Sequence, residues 1–221
     1  MRILVDGLDL SGKTTLVDTL LESLAARGVP AVRHRGMLAE HHPFEGLLKK
    51  LPLARQAESS GITAAYLAAG FALDAALVPF DPPHTGGALL IQEGYADRTM
   101  AVGLAGGPYL PAALALWASR CFATFDLAVF LHASPDVRRH RIADRAHPDV
   151  GDRRSVEDEG FAHRFDTALL HHLGRRHRCL LTFDTGQFGP EEIAEQVIAA
   201  MTLPTSVATR HPVLGTVAAA A

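Results

Sequence analysis

Ile3, Leu4 and Val5 form a short apolar run closed by Asp6-Gly7, the pattern of a buried strand. After a glycine-containing loop, Leu16, Leu20 and Leu24 recur at helical spacing, with Val17 and Leu21 beside them. Gly28 and Pro30 then stop that helix. A second strand is predicted over 29–34. A helix is predicted over 57–78, with Ile62, Tyr66, Ala69 and Leu73 on one face. The turn-rich segment 81–87 leads into a third strand, 88–93, that ends on the carboxylate of Glu93. Further along, the pattern gives a helix over 111–120, a fourth strand over 127–131 and a helix over 135–145 with Pro135 in its first turn. A charged loop, a helix over 161–173, a fifth strand over 179–183 and a helix over 190–201 complete the alternation. Strands that are apolar throughout and alternate with helices imply an α/β fold of three layers around a five-stranded parallel sheet. No repeat is visible. The tail 204–221 lacks periodicity and is expected to be disordered, leaving 1–203 as the folded domain.

The 221 residues carry a formal net charge of −3 and are 48% hydrophobic, which fits one core of ordinary size. A balance so near neutral argues against a nucleic-acid binder and against a polybasic membrane anchor. The apolar stretch 61–80 contains Asp74 and Pro79 and is mostly Ala, so a core helix is expected rather than a membrane span. The N-terminus reaches Asp6 too soon for a signal peptide, and the two cysteines, Cys121 and Cys179, are too few for a disulfide scaffold. A cytoplasmic location is expected. The basic residues are 18 Arg and only three Lys, and asparagine is absent.

The run Gly7-Leu8-Asp9-Leu10-Ser11-Gly12-Lys13-Thr14 matches G-x-x-x-x-G-K-[ST] between a strand and an amphipathic helix, the context in which that motif works. Its backbone N–H groups and the helix N-terminus favour phosphate. Lys13 can reach the β- and γ-phosphates of a nucleotide, and the Thr14 hydroxyl can take a Mg²⁺ position. ATP and Mg²⁺ are therefore the implied cofactors. A guanine-specific switch is excluded, because its N-K-x-D motif needs an asparagine. The chain is also short for a transporter or motor ATPase and lacks L-S-G-G-Q. A small kinase remains.

The sequence resembles the thymidylate kinase and deoxynucleoside kinase branch of the P-loop kinases. The resemblance is concentrated in short motifs between about Ile3 and Met201. Gly7-Leu8-Asp9 with Ser11-Gly12-Lys13-Thr14-Thr15 looks like that family's phosphate loop, with Leu10 at a place often held by Gly. Asp97-Arg98 resembles its Asp-Arg pair after the third strand. Glu93 sits where the deoxynucleoside kinases carry a catalytic Glu, followed here by Gly94 in place of Arg. The resemblance implies that Asp9 faces the acceptor. Glu93, Asp97 and Asp9 are candidates for the base that receives or orients the acceptor hydroxyl, with Glu93 favoured. Arg98 is the candidate phosphate clamp. The concentration of Arg138, Arg139, Arg141, Arg145, Arg153 and Arg154 resembles the family's lid, about 138–159. Its arginines, Arg141, Arg145 and Arg153 above all, would stabilise the transferring phosphoryl. Glu157, Asp158 and Glu159 are positioned to pair with them. The loop holding Gly186 and Gln187 would lie against adenine.

Where thymidylate kinases carry an Asp-Arg pair, this chain has Gly70-Phe71. Their Arg-Glu-Pro-Gly signature is replaced by Arg33-His34-Arg35-Gly36. Tyr66, Phe71, Arg33 and Arg35 are therefore candidate acceptor contacts. The expected acceptor is a small molecule, a nucleoside or nucleoside monophosphate. A non-nucleotide alcohol of specialised metabolism and a non-catalytic nucleotide-binding module are the alternatives. A homodimer is compatible with the family. The twelve histidines form no H-E-x-x-H and are expected on the surface or in loops.

Overall fold

The computed structural model describes residues 1–44, 61–106 and 122–202, with the backbone alone over 61–68 and at 202. The helix expected over 111–120, Cys121 and the tail 204–221 lie outside the described residues. The strands are β1 (Arg2–Gly7), β2 (Ala31–His34), β3 (Leu89–Glu93), β4 (Leu127–His132) and β5 (Leu180–Asp184). The described helices are α1 (Lys13–Ala26), α2 (Gly61–Leu77), α3 (Ala96–Gly106), α4 (Pro135–Ala143), α5 (Val150–Glu157), α6 (Glu159–Arg176) and α7 (Pro190–Thr202).

All five strands are parallel, in the order β2-β3-β1-β4-β5. Their continuous apolarity reflects two cores, because successive side chains go to opposite faces. Leu4, Leu90, Ala128 and Phe130 meet Phe71 of α2, Met100 of α3, and Phe161, Phe165 and Leu169 of α6 on one face. Ile3, Val5, Ile91, Val129 and Leu131 meet Leu16, Leu20 and Leu24 of α1 and Ile193 and Val197 of α7 on the other. The result is the expected three-layer α/β sandwich. No described helix is long and apolar enough to cross a membrane.

Two elements depart from the sequence pattern. The charged loop after α4 contains α5, which starts on a reciprocal cap: Asp149 accepts from Asp152 N–H, and the Asp152 side chain accepts from Asp149 N–H. Periodicity misses α5 because only Asp152 and Ser155 of its eight residues are buried. Helix α3 was hidden for the opposite reason, being buried on several sides, with Met100, Ala101, Val102, Gly103 and Ala105 all covered. Most described histidines are exposed or lie in loops, as expected, and His172, buried within α6, departs from that. His42, His172 and His177 are buried, and the Nε2 atom of His42 lies 3.1 Å from the carbonyl of Gly70.

Candidate active site

The carboxyl ends of β1, β3, β4 and β5 converge on the glycine-rich loop, the place where open parallel sheets bind ligands. Gly7 packs so closely on β4 that a Cβ there would collide with the Leu131 carbonyl and lie 2.6 Å from Ser11 Oγ. Gly12 caps α1 with φ 89°, the left-handed region open to glycine. Leu10 holds φ 66° without being glycine, at a cost of about 1–2 kcal/mol. That conformation turns its carbonyl toward Arg141, whose Nη1 donates to it at 2.8 Å.

Within this loop the Lys13 ammonium is tucked against the carbonyls of Gly7 (2.9 Å) and Leu8 (2.8 Å) and lies 3.7 Å from Asp9. Burial, then the neighbouring Arg98 charge, pushes its pKa down to about 8. Ser11 Oγ is buried without a hydrogen-bond partner, an orphan group at the base of a loop built of backbone donors. Thr14 and Thr15 are exposed at the start of α1. A phosphate chain would satisfy the lysine and the orphan hydroxyl together, so these residues fit a nucleotide. The Thr14 hydroxyl beside a carboxylate is an oxygen donor set that suits Mg²⁺.

Thr14 Oγ1 donates to Glu93 Oε1 at 2.6 Å. The other oxygen of Glu93 accepts from Arg35 Nε and Nη2 at 2.9 and 2.7 Å, and Arg33 Nε lies 3.5 Å from it. Arg33 also donates to Asp18 at 2.7 Å. Arg98 crosses beside Gly94 to donate to the Gly7 carbonyl (2.8 Å) and to Asp9 Oδ2 (2.6 Å). Burial pushes the Asp9 carboxyl up, but the Arg98 and Lys13 charges outweigh it and hold the group below its ordinary range.

Asp97 does not join this cluster. The third strand ends at Glu93, so Asp97 already lies in the first turn of α3, and neighbouring helical residues point in different directions. Its carboxylate is fully buried, bound by Arg176 Nη1 (2.5 Å) and next to His177 Nε2 (3.3 Å). With both oxygens occupied behind the site, Asp97 is unsuited to act as the base. Phe71 is likewise a core residue, stacked edge-on against Tyr95 with ring centroids 4.9 Å apart. The Tyr66 side chain lies outside the described residues.

Among the arginines between 138 and 154, Arg141 lies against the loop. It donates to Leu10 O and, from both terminal nitrogens, to Thr185 Oγ1 and O at 2.9 Å. Its Nη1 would be 3.6 Å from a Cβ on Gly12. Arg145 donates to buried Asp152 at 2.6 Å, and Arg153 is exposed. Arg139 bridges Asp136 and Glu159, while Asp158 instead caps α6. Arg138 is a structural member, buried between the carbonyls of Ala133 and Ser155. The N-terminus of α5 rests on the phosphate loop, where a Cβ on Gly151 would lie 2.7 Å from Asp9 Oδ2. Gly186 and Gln187 are exposed after β5 and held by Asp184, which accepts from Gly186 N–H (2.8 Å) and from the Gln187 amide (3.2 Å).

Sequence reading missed Asp6, although a carboxylate closing an apolar strand was a usable signal. It is fully buried beneath the loop. Its Oδ1 accepts from Gly7 N–H at 2.8 Å, and its Oδ2 has no partner. Burial raises its pKa to about 6 against the opposing pull of Arg98 and Lys13. Between about pH 4 and pH 6 the native state therefore holds a proton that the unfolded chain has released, so this group's contribution to stability falls as pH rises. Asp6→Asn is expected to stabilise the protein by roughly 2–3 kcal/mol at neutral pH and by much less near pH 4. Thermal melts at both pH values check this, and a stabilisation no larger at neutral pH contradicts it.

The sheet order, the three layers and a glycine-rich strand–helix loop at the carboxyl edge together define the P-loop kinase architecture. More particularly, the chain has a thymidylate kinase-like fold. Among solved structures it is similar to thymidylate kinase from Candida albicans, with TM-score 0.60 and 17% identity over 90% of each chain. That structure is described as revealing the origin of broad substrate specificity and a novel structural element. No family model matches the chain, and no curated protein matches it. Among the described residues no group of three or more His, Cys, Asp or Glu side chains is arranged to hold a metal ion by itself.

Proposed function

We propose that the protein is an ATP-dependent small-molecule kinase that transfers the γ-phosphoryl group of ATP to a hydroxyl or phosphate oxygen of a nucleoside or nucleoside monophosphate. The observation that carries this reading is the 2.6 Å contact between the phosphate-loop hydroxyl of Thr14 and the strand-end carboxylate of Glu93, with Arg35 and Arg33 on the other side of that carboxylate. A loop for the donor phosphates and a carboxylate for the acceptor thereby share one hydrogen bond.

In this reading the loop from Gly7 to Thr15 binds the phosphates and Lys13 neutralises the β- and γ-oxygens. The Thr14 hydroxyl would hold Mg²⁺, which when bound offsets the charge of the phosphates. Arg141, already on the loop carbonyl of Leu10, and Arg145 and Arg153 of the adjoining segment supply positive charge over the transferring group. The exposed Gly186-Gln187 backbone receives the adenine. Arg98, Arg33 and Arg35 favour an anionic acceptor. Glu93 holds the acceptor oxygen and takes up its proton where that oxygen is a hydroxyl. Phe71, packed in the core against Tyr95, is not among the acceptor contacts in this reading.

Acceptor-dependent ADP release across nucleosides, nucleoside monophosphates, sugars and small alcohols tests the proposal. Stimulation by nucleosides or nucleoside monophosphates is expected. Stimulation by a sugar or simple alcohol alone would move the protein to the non-nucleotide reading. Tight ATP binding with no stimulated release would make it a binding module.

A further inference from the structure

Asp74 of α2 is fully buried, and neither of its oxygens serves its own helix. Its Oδ1 accepts from Ala39 N–H at 2.7 Å and its Oδ2 accepts from the Tyr95 hydroxyl. Ala39 belongs to the segment after β2, four residues beyond Arg35. Tyr95 belongs to the turn after β3, two residues beyond Glu93, and its carbonyl accepts from Arg98 N–H at 3.1 Å. The same two segments are joined a second time by Gln92, wholly buried, whose amide donates to Gly36 O (3.0 Å) and Gly94 O (2.8 Å). They meet a third time at the surface, where Arg35 binds Glu93.

We infer that Asp74 is a positioning residue that fixes the Arg35-bearing and Glu93-bearing segments relative to each other, and so sets the acceptor side of the site. The inference rests on the kinase reading for its consequence in turnover, but not for the coupling itself. A buried carboxyl is costly unless hydrogen bonds compensate, and here both compensating donors come from the two segments it joins. Tyr95 is suited to the task. Burial, then the Asp74 charge, pushes its phenol far above the ordinary range, so it remains a donor at any working pH. Its ring is held by edge-on contacts with Phe71 (4.9 Å) and Phe125 (5.4 Å), which aim the hydroxyl at Asp74.

Tyr95→Phe keeps both ring contacts and deletes one donor, so it tests the link without opening a cavity. Asp74→Asn is the conservative partner, since its amide oxygen still accepts from Ala39 N–H and its amide nitrogen can donate to the Tyr95 oxygen. In Tyr95→Phe, amide exchange over 36–40 and 93–98 is expected to rise roughly tenfold, the scale of one lost hydrogen bond to a charged group, with α1 unaffected. The acceptor KM is expected to rise with the ATP KM unchanged, and Asp74→Asn is expected to lie closer to wild type on both readouts. Unchanged exchange in the two segments, or an equal rise in both KM values, overturns the inference. A wild-type protein that releases no ADP with any acceptor overturns the kinase reading instead, and the exchange comparison then decides the coupling by itself.

Discussion

Glu93→Gln is expected to reduce acceptor-dependent ADP release by about 10²–10⁴-fold, the range for loss of a general base, while ADP affinity changes little. The neighbours of this carboxylate explain why so small a change has so large an effect. One oxygen accepts from Thr14 and the other from Arg35, with Arg33 close by. An amide can keep its oxygen on the Arg35 guanidinium and turn its NH₂ to Thr14, whose hydroxyl can rotate to accept, so the side chain stays in place and what the substitution removes is the charge. That charge is what could take a proton from the acceptor. The side chain of Arg35 is 57% exposed, so it can swing toward an anionic acceptor and free Oε2, whereas Glu93 is 9% exposed and remains fixed. Initial rates and ADP titrations on wild type, Glu93→Gln and Asp9→Asn separate the candidates. Asp9 is already bound by Arg98 and overlain by the start of α5. It is therefore expected to affect acceptor KM more than kcat. Near wild-type turnover in Glu93→Gln would remove Glu93 as the base.

Much of the fold was legible because parallel strands buried on both faces leave an uninterrupted apolar run. All five were read within a few residues, from Ile3-Leu4-Val5 at β1 to the segment ending near Asp184 at β5. The glycine-rich loop was equally legible, since a motif of this kind works through backbone geometry, which Gly7 and Gly12 permit. Side-chain partnerships across the chain were not. Asp97 and Arg98 are neighbours in sequence, yet one is locked to Arg176 of α6 and the other to Asp9 of the loop. The direction of each depends on where α3 begins, and the apolar positions of a short helix covered on several sides do not mark its first residue. The cap of α5 was written locally in Asp149 and Asp152, but within a run of charges it did not separate from loop. Phe71 sits at helical spacing, and only the position of Tyr95 decides that it faces the core.

Lys13→Met is expected to lower kcat/KM by about three orders of magnitude, comparable to removing a preorganised charge from a phosphoryl-transfer site. It is also expected to raise the melting temperature of the free protein at neutral pH. The two effects have one origin. In the free protein the ammonium is desolvated against the Gly7 and Leu8 carbonyls and repelled by Arg98, which brings its pKa down to about 8. A lysine depressed on folding contributes instability while it is charged in both states, and this is relieved as pH rises from about 8 toward its unfolded value. Nucleotide phosphates reverse the sign, because a polyanion favours the charged form and raises the pKa in the complex. ADP binding just above pH 8 is therefore expected to take up protons, and its affinity to fall as pH rises through that range. Calorimetric titrations of ADP in two buffers of different ionisation enthalpy read the uptake directly. Wild type is expected to give buffer-dependent heats and Lys13→Met buffer-independent ones. Equal heats for wild type in both buffers would mean that Lys13 does not meet the phosphates. The motif would then be a loop without its charge at the nucleotide, and the kinase reading would lose the residue on which its donor half depends.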